Sequence, residues 1–380
     1  MFKPNILRTF LENHSRLRLC AVVMAAIAIL MVSGAIIWTH GSLRPVTGTT
    51  GQNSSDDGGQ DASASSLPAV MDPRAEAPAE ATNPEEGTRV SDAPPEAVRS
   101  DEPTVHDNPT SADSGRDNAM RAAVEPLVSP YGDGVAVVYT PVDAPDGGFA
   151  INGDERMRSA SMIKTLIMAT LLQHEADGSI SLGDSYTIRE SDIVGGTGSV
   201  QSMGAGTRLS LSRLAELMIS QSDNVATNVL IDRLGMGAVN DECARLGLGQ
   251  TVLARKMMDT AAAAAGCENY TSASDQARIL RLVASGDLVS PEASQAALAW
   301  LKEQEDSEGI AQGVPSGTVV AHKTGTLDSV RHDGAIVYGK RPYVLVIMTH
   351  GMSDGAANSL MARVSRTVWD ANLTDRKSVV

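Results

Sequence analysis

The stretch SASMIKTLIMATLL, residues 159–172, sets a serine and a lysine three residues apart at the mouth of an almost unbroken apolar run. After Ser161, the residues Leu166, Ile167, Met168, Ala169, Leu171 and Leu172 leave almost no polar face, which predicts a helix buried on all sides. Such a helix needs partners all round it. GVAVVYTP, from Gly134, reads as a strand, and DAPDGG, from Asp143, as a turn into a second short strand near Phe149. Downstream, Leu211, Leu214, Ala215 and Met218 recur at helical spacing. TVVAHKTG, GAIVYG and YVLVIMTH then supply three more strand candidates, and a helical stretch runs from Ala356 to Trp369. Strands at both ends with helices between them predict an α+β domain. Its antiparallel sheet would be formed by both ends of the domain and packed with helices, beside a mainly helical subdomain.

That domain is smaller than the chain. The 380 residues are 42% hydrophobic and 20% charged, but the apolar ones are distributed very unevenly. AVVMAAIAILMVSGAIIW, residues 21–38, carries no charge, and with Leu19 and Cys20 it makes about 20 residues, enough as a helix to cross a hydrocarbon core. Lys3, Arg8, Arg16 and Arg18 precede it against one acid, Glu12, so the positive-inside rule puts the N-terminus in the cytoplasm and the rest outside. A signal peptide cleaved near Ser33 is the alternative; the apolar run continues past that point, which favours an uncleaved anchor. From residue 41 to 118 there is no Phe, Tyr, Trp, Ile or Cys, and fifteen acids face five bases. This stretch cannot bury enough surface to offset its chain entropy and reads as a solvated tether. It holds most of the formal charge of −15, so the acidity gives no support to a nucleic-acid partner. The expected organisation is an anchor over 1–40, a linker over 41–118, a monomeric extracellular domain over 119–373 and a short tail over 374–380.

Of the three cysteines, Cys243 and Cys267 fall in the domain, where they could pair in an oxidising compartment or remain as small buried side chains. No pair of histidines has metal-ligand spacing with a carboxylate, so neither metal nor cofactor is expected. His322 and His332 read as hydrogen-bonded neighbours of a strand.

Ser161 and Lys164 at i and i+3 share a helix face, and burial disfavours the ammonium, so the lysine is a plausible proton acceptor for the serine. Alone the pair is a weak signal. SDN follows at Ser222, 61 residues on, and KTGT at Lys323, a further 101 residues on and at the end of a strand candidate. With these three motifs in this order, the chain resembles the class A β-lactamases and penicillin-binding proteins, from about Asn118 to Leu373. The likeness extends through ISQSDNVATNVLIDRLG, from Ile219.

The resemblance implies Ser161 as the acylated nucleophile, Lys164 as its proton acceptor and Ser222 as the relay to the leaving nitrogen. It implies Asn224 as the partner of the substrate's side-chain amide, and Lys323 and Thr324 facing the substrate carboxylate. Gly325 would allow close approach of the strand. The backbone N–H groups of Ser161 and Thr326 would hold the oxyanion. Class A enzymes also carry a glutamate that activates the hydrolytic water, and its position here falls near Met257 in ARKMMDTAAAAAGCENYTSASD, residues 254–275. Methionine cannot act as a base. Asp259 and Glu268 are the nearby acids that could replace it, or they could cap the loop and pair Arg255. The implied function is an exported hydrolase acting through a Ser161 acyl-enzyme on β-lactams, with slow deacylation. The alternatives are an enzyme on cell-wall peptides or a cell-wall-binding domain without turnover. A second nucleophile pattern, GMSDG from Gly351, needs a histidine downstream, and none follows His350.

Overall fold

The computed structural model describes residues 111–144 and 146–373. The segment read as a membrane anchor and most of the linker lie outside them, and among the described residues no helix is long and apolar enough to cross a membrane. The first helix among the described residues, α1, spans Ser111–Val128 and so begins upstream of the boundary that composition suggested near Asn118. It leads into β1 (Val135–Pro141) and β2 (Phe149–Ile151), which form an antiparallel hairpin.

The helical part follows. It comprises α2 (Lys164–Ala176), α3 (Leu211–Ser220), α4 (Asn224–Leu234), α5 (Met236–Leu246), α6 (Ala273–Ser285) and α7 (Pro291–Lys302). The chain then returns as β3 (Val319–Leu327), β4 (Val330–Tyr338) and β5 (Tyr343–His350), and closes with α8 (Asp354–Leu373). The five strands form one sheet in the order β2-β1-β5-β4-β3, antiparallel throughout. Pairing of β1 with β5, from Val135 opposite Thr349 to Pro141 opposite Tyr343, joins the two ends of the domain as expected from the sequence.

Both faces of the sheet are covered, which explains why β1 reads VAVVY with no polar alternation. Val135, Val137 and Tyr139 pack with Leu345, Ile347 and the apolar faces of α1 and α8. Ala136 and Val138 point the other way, into a larger core with Val344, Val346 and the helices. In α2, every residue from Lys164 to Leu172 is buried, because α3, α4, α5, α6 and α7 all pack around it. The opening stretch of sequence is the axis of the helical layer. Cys243 is a free buried thiol on α5, so it takes the small-apolar role and forms no bridge to Cys267.

Candidate active site

Ser161 sits in a 3-10 turn, Ala160–Ile163, immediately before α2, and Lys164 is the first residue of that helix. The turn lies against β3 at Gly325, where a Cβ would come within 3.2 Å of Met162 N, Met162 Cγ and Ala160 Cβ. A side chain at Gly325 would crowd the turn that carries Ser161. Between α3 and α4 the chain turns sharply at Ser222, whose φ of 54° is a left-handed conformation unusual for a residue with a side chain. Asp223, fully buried, fixes this turn: its carboxylate accepts from Ala226 N at 2.8 Å as the cap of α4, and from Val200 N at 2.8 Å.

These elements bring the three motifs together. Lys164 Nζ donates to Ser222 O at 2.6 Å, Ser222 Oγ at 3.1 Å and Asn224 Oδ1 at 3.0 Å. Lys323 Nζ donates to the same Ser222 Oγ at 3.2 Å and to Thr324 O at 2.7 Å. Both lysines are fully buried. Burial, then the nearby Lys323 charge, hold the Lys164 amine well below the usual lysine range, partly offset by Asp223. Burial brings Lys323 down to about 7, against the opposing pull of Asp306 and Asp333. A lysine that is neutral near pH 7 can take a proton. As an ammonium, Lys164 has its three donors engaged by the Ser222 carbonyl, the Ser222 hydroxyl and the Asn224 side-chain oxygen, partners that the Ser-x-x-Lys spacing did not name.

A cleft of about 490 Å³ opens at this point, and Ser161, Ser222, Asn224, Thr324 and Thr326 line it. Its far wall is the 254–269 loop. Asn228 holds that loop from α4: its Nδ2 donates to Met257 O at 3.0 Å and its Oδ1 accepts from Met257 N at 2.8 Å. Met257 therefore faces the same cleft as Ser161. Of the two acids proposed from sequence as replacements, Asp259 caps a short helix, Thr260–Ala264, by accepting from Ala262 N at 2.9 Å. Glu268 pairs with Arg255 at 2.8 Å and accepts from Asn269 N at 2.8 Å. Each lines the cleft while serving the structural role that the sequence reading had set beside the catalytic one.

One part of the site gave no motif. Arg331 of β4, opposite Thr326 in the β3–β4 pairing, donates to Thr326 Oγ1 at 2.7 Å and to both oxygens of Asp306 at 2.7 and 2.9 Å. It anchors the wall carrying Thr324 and Thr326. Only the strand register shows this, since Arg331 and Asp306 are separated by a helix and a strand. His322 and His332 are both buried away from the cleft; His322 Nδ1 lies 3.0 Å from Asp333 Oδ1, and His332 Nε2 lies 2.8 Å from Arg158 O. The GMSDG pattern forms the turn into α8, as a glycine-rich connection would.

The model of the β-lactamase enzyme family matches residues 119–372, about two thirds of the chain. The extended-spectrum β-lactamase PER-1 of Pseudomonas aeruginosa is 31% identical over 241 residues, covering 59% of this chain and 78% of that protein. The crystal structure of a β-lactamase from Sphaerobacter thermophilus superposes with a TM-score of 0.61 at 30% identity, over 68% of this chain and 98% of the other. PBP-A superposes equally well, TM-score 0.61 at 27% identity over 67% and 96%, and one of its structures is a leucine-to-glutamate variant in acyl-enzyme complex with penicillin G. Taken with the meeting of Lys164 and Lys323 at Ser222, in the cleft that Ser161 lines, these likenesses show that the chain belongs to the β-lactamase enzyme family, as a serine hydrolase of class A β-lactamase type.

Proposed function

We propose that the domain opens β-lactams through an acyl-enzyme on Ser161 and releases the product slowly. The observation that carries this reading is the placing of Ser222 Oγ between the two lysine amines, in the cleft that Ser161 lines. In the acylation step, Ser161 Oγ bonds to the lactam carbonyl carbon and its proton passes to Lys164 Nζ. The oxyanion is held by the Ser161 and Thr326 N–H groups, each worth about a hundred-fold or more in rate. Ser222 then gives its proton to the lactam nitrogen as the C–N bond breaks, and regains one from Lys164. Lys323 and Thr324 bind the substrate carboxylate, and Asn224 binds the side-chain amide.

Deacylation needs a base on the opposite wall, and there the wall presents Met257 between a capping aspartate and an ion-paired glutamate. A methionine thioether cannot activate water, so the acyl-enzyme should accumulate. Mixing the protein with a fluorescent penicillin and following retained label over time separates acylation from release; failure to acquire any label would overturn the reading.

The same proposal places the domain outside the cell on an N-terminal anchor over residues 21–38. Its support is the charge asymmetry around that apolar run. Protease added to intact spheroplasts should release the domain, and a domain that stayed protected would contradict this placement.

A further inference from the structure

Thr197 lies on the rim of the cleft, in a loop where Gly195, Gly196 and Gly198 surround it. Its position is tightly determined. A Cβ on Gly198 would sit 2.1 Å from Asp223 Oδ2, Asn224 N donates to Thr197 O at 3.1 Å, and Val200 N is bound to Asp223. From there Thr197 Oγ1 donates to Ser222 O at 2.6 Å, and the same carbonyl oxygen accepts from Lys164 Nζ, also at 2.6 Å.

The lysine's donors are fully committed. As an ammonium, Lys164 supplies three N–H groups to Ser222 O, Ser222 Oγ and Asn224 Oδ1. To accept the Ser161 proton it must first be an amine with two N–H groups and a lone pair, so one acceptor is given up. A carbonyl that depended on the lysine alone would resist that loss and favour the ammonium. A hydroxyl already bound to the same oxygen withdraws negative potential from it and keeps it satisfied in either state.

We propose that Thr197 is a positioning residue for acylation: its hydroxyl shares the Ser222 carbonyl with the Lys164 amine and loosens that carbonyl's hold on the lysine's protons. This rests on Ser161 being the acylated group. The charged groups facing Lys164 are Lys323 from β3 and Asp223 from the turn before α4, and neither is altered by changing Thr197.

The test is the pH profile of penicillin acylation for the full chain, compared with Thr197→Val and Thr197→Ser. In Thr197→Val the acid-side limb should move to higher pH, so that the rate at a fixed pH on that limb falls about three- to ten-fold, the worth of one hydrogen bond. The alkaline limb, set elsewhere, should stay in place, and Thr197→Ser should return the acid limb to its original position. An acid limb unmoved in Thr197→Val, whether or not the rate falls uniformly, overturns the proposal, as does a serine variant that behaves like the valine one. Should Thr197→Val fail to fold, Thr197→Ala carries the same comparison. Absence of labelling in the unmodified chain would instead refute acylation itself.

Discussion

Lys164 and Lys323, from a helix and a strand more than 150 residues apart in sequence, aim their amines at one hydroxyl: Ser222 Oγ lies 3.1 Å from the first and 3.2 Å from the second. A serine oxygen accepts two hydrogen bonds and donates one. With both lysines donating, the hydroxyl's own proton is left to point into the cleft, where a leaving nitrogen would need it. The arrangement also sets two lysines close together in a buried place, and burial is the first cause that lowers the protonation of each.

Lys323 should impose the alkaline limb of acylation. Its amine is charged below about 7 and loses charge above it, so binding of a substrate carboxylate should weaken as pH rises past that value. Well above it, the charged fraction falls about ten-fold per pH unit. Lys323→Arg, which keeps its charge throughout, should move the limb to higher pH in stopped-flow acylation. A limb that stays in place in the arginine variant would assign it to another group.

Ser161→Ala should abolish labelling by a fluorescent penicillin, while Ser353→Ala, in the glycine-rich turn before α8, should not affect it. Loss of label in Ser353→Ala with retention in Ser161→Ala would reverse the assignment of the nucleophile.

Met257→Glu should shorten the life of the acyl-enzyme. The side chain lines the cleft with Ser161, so a carboxylate there could activate water, and such a base contributes about 10²–10⁴-fold. Rapid-quench measurement of adduct decay should show release at least about a hundred-fold faster. Unchanged decay would mean that water does not reach the ester from that wall.

Asn228→Ala should loosen the same wall. It removes two hydrogen bonds to the Met257 backbone in a buried place, which costs about 1–3 kcal/mol. For a domain of this size each kcal/mol lowers the melting temperature by roughly 2–4 °C. Differential scanning calorimetry showing no decrease would contradict the clamp.

The fold was legible because its main elements announce themselves: an apolar run in β1, three more in β3, β4 and β5, and a helix with no polar face. The motif residues were legible because their types and spacing are rare together. What could not be read was geometry that arises only on folding. The left-handed turn at Ser222 brings its carbonyl and hydroxyl onto the Lys164 amine, and nothing in Ser-x-x-Lys specifies that turn. The Arg331–Asp306 pair depends on β3–β4 register, and the Thr197 contact depends on a glycine loop folding against Asp223. For Asp259 and Glu268 the sequence left two roles open, because a carboxylate's partner is decided by neighbours that sequence separation conceals.

The central claim is that this cleft acylates readily and deacylates slowly. Intact-protein mass spectrometry after mixing with benzylpenicillin tests it most directly. The account predicts a single adduct, lost in Ser161→Ala, that persists for minutes because Met257 occupies the wall where a base would stand. Turnover at about ten or more per second with no detectable adduct, an ordinary rate for an enzyme, would contradict it. Asp259→Asn and Glu268→Gln would then show which carboxylate supplies the base.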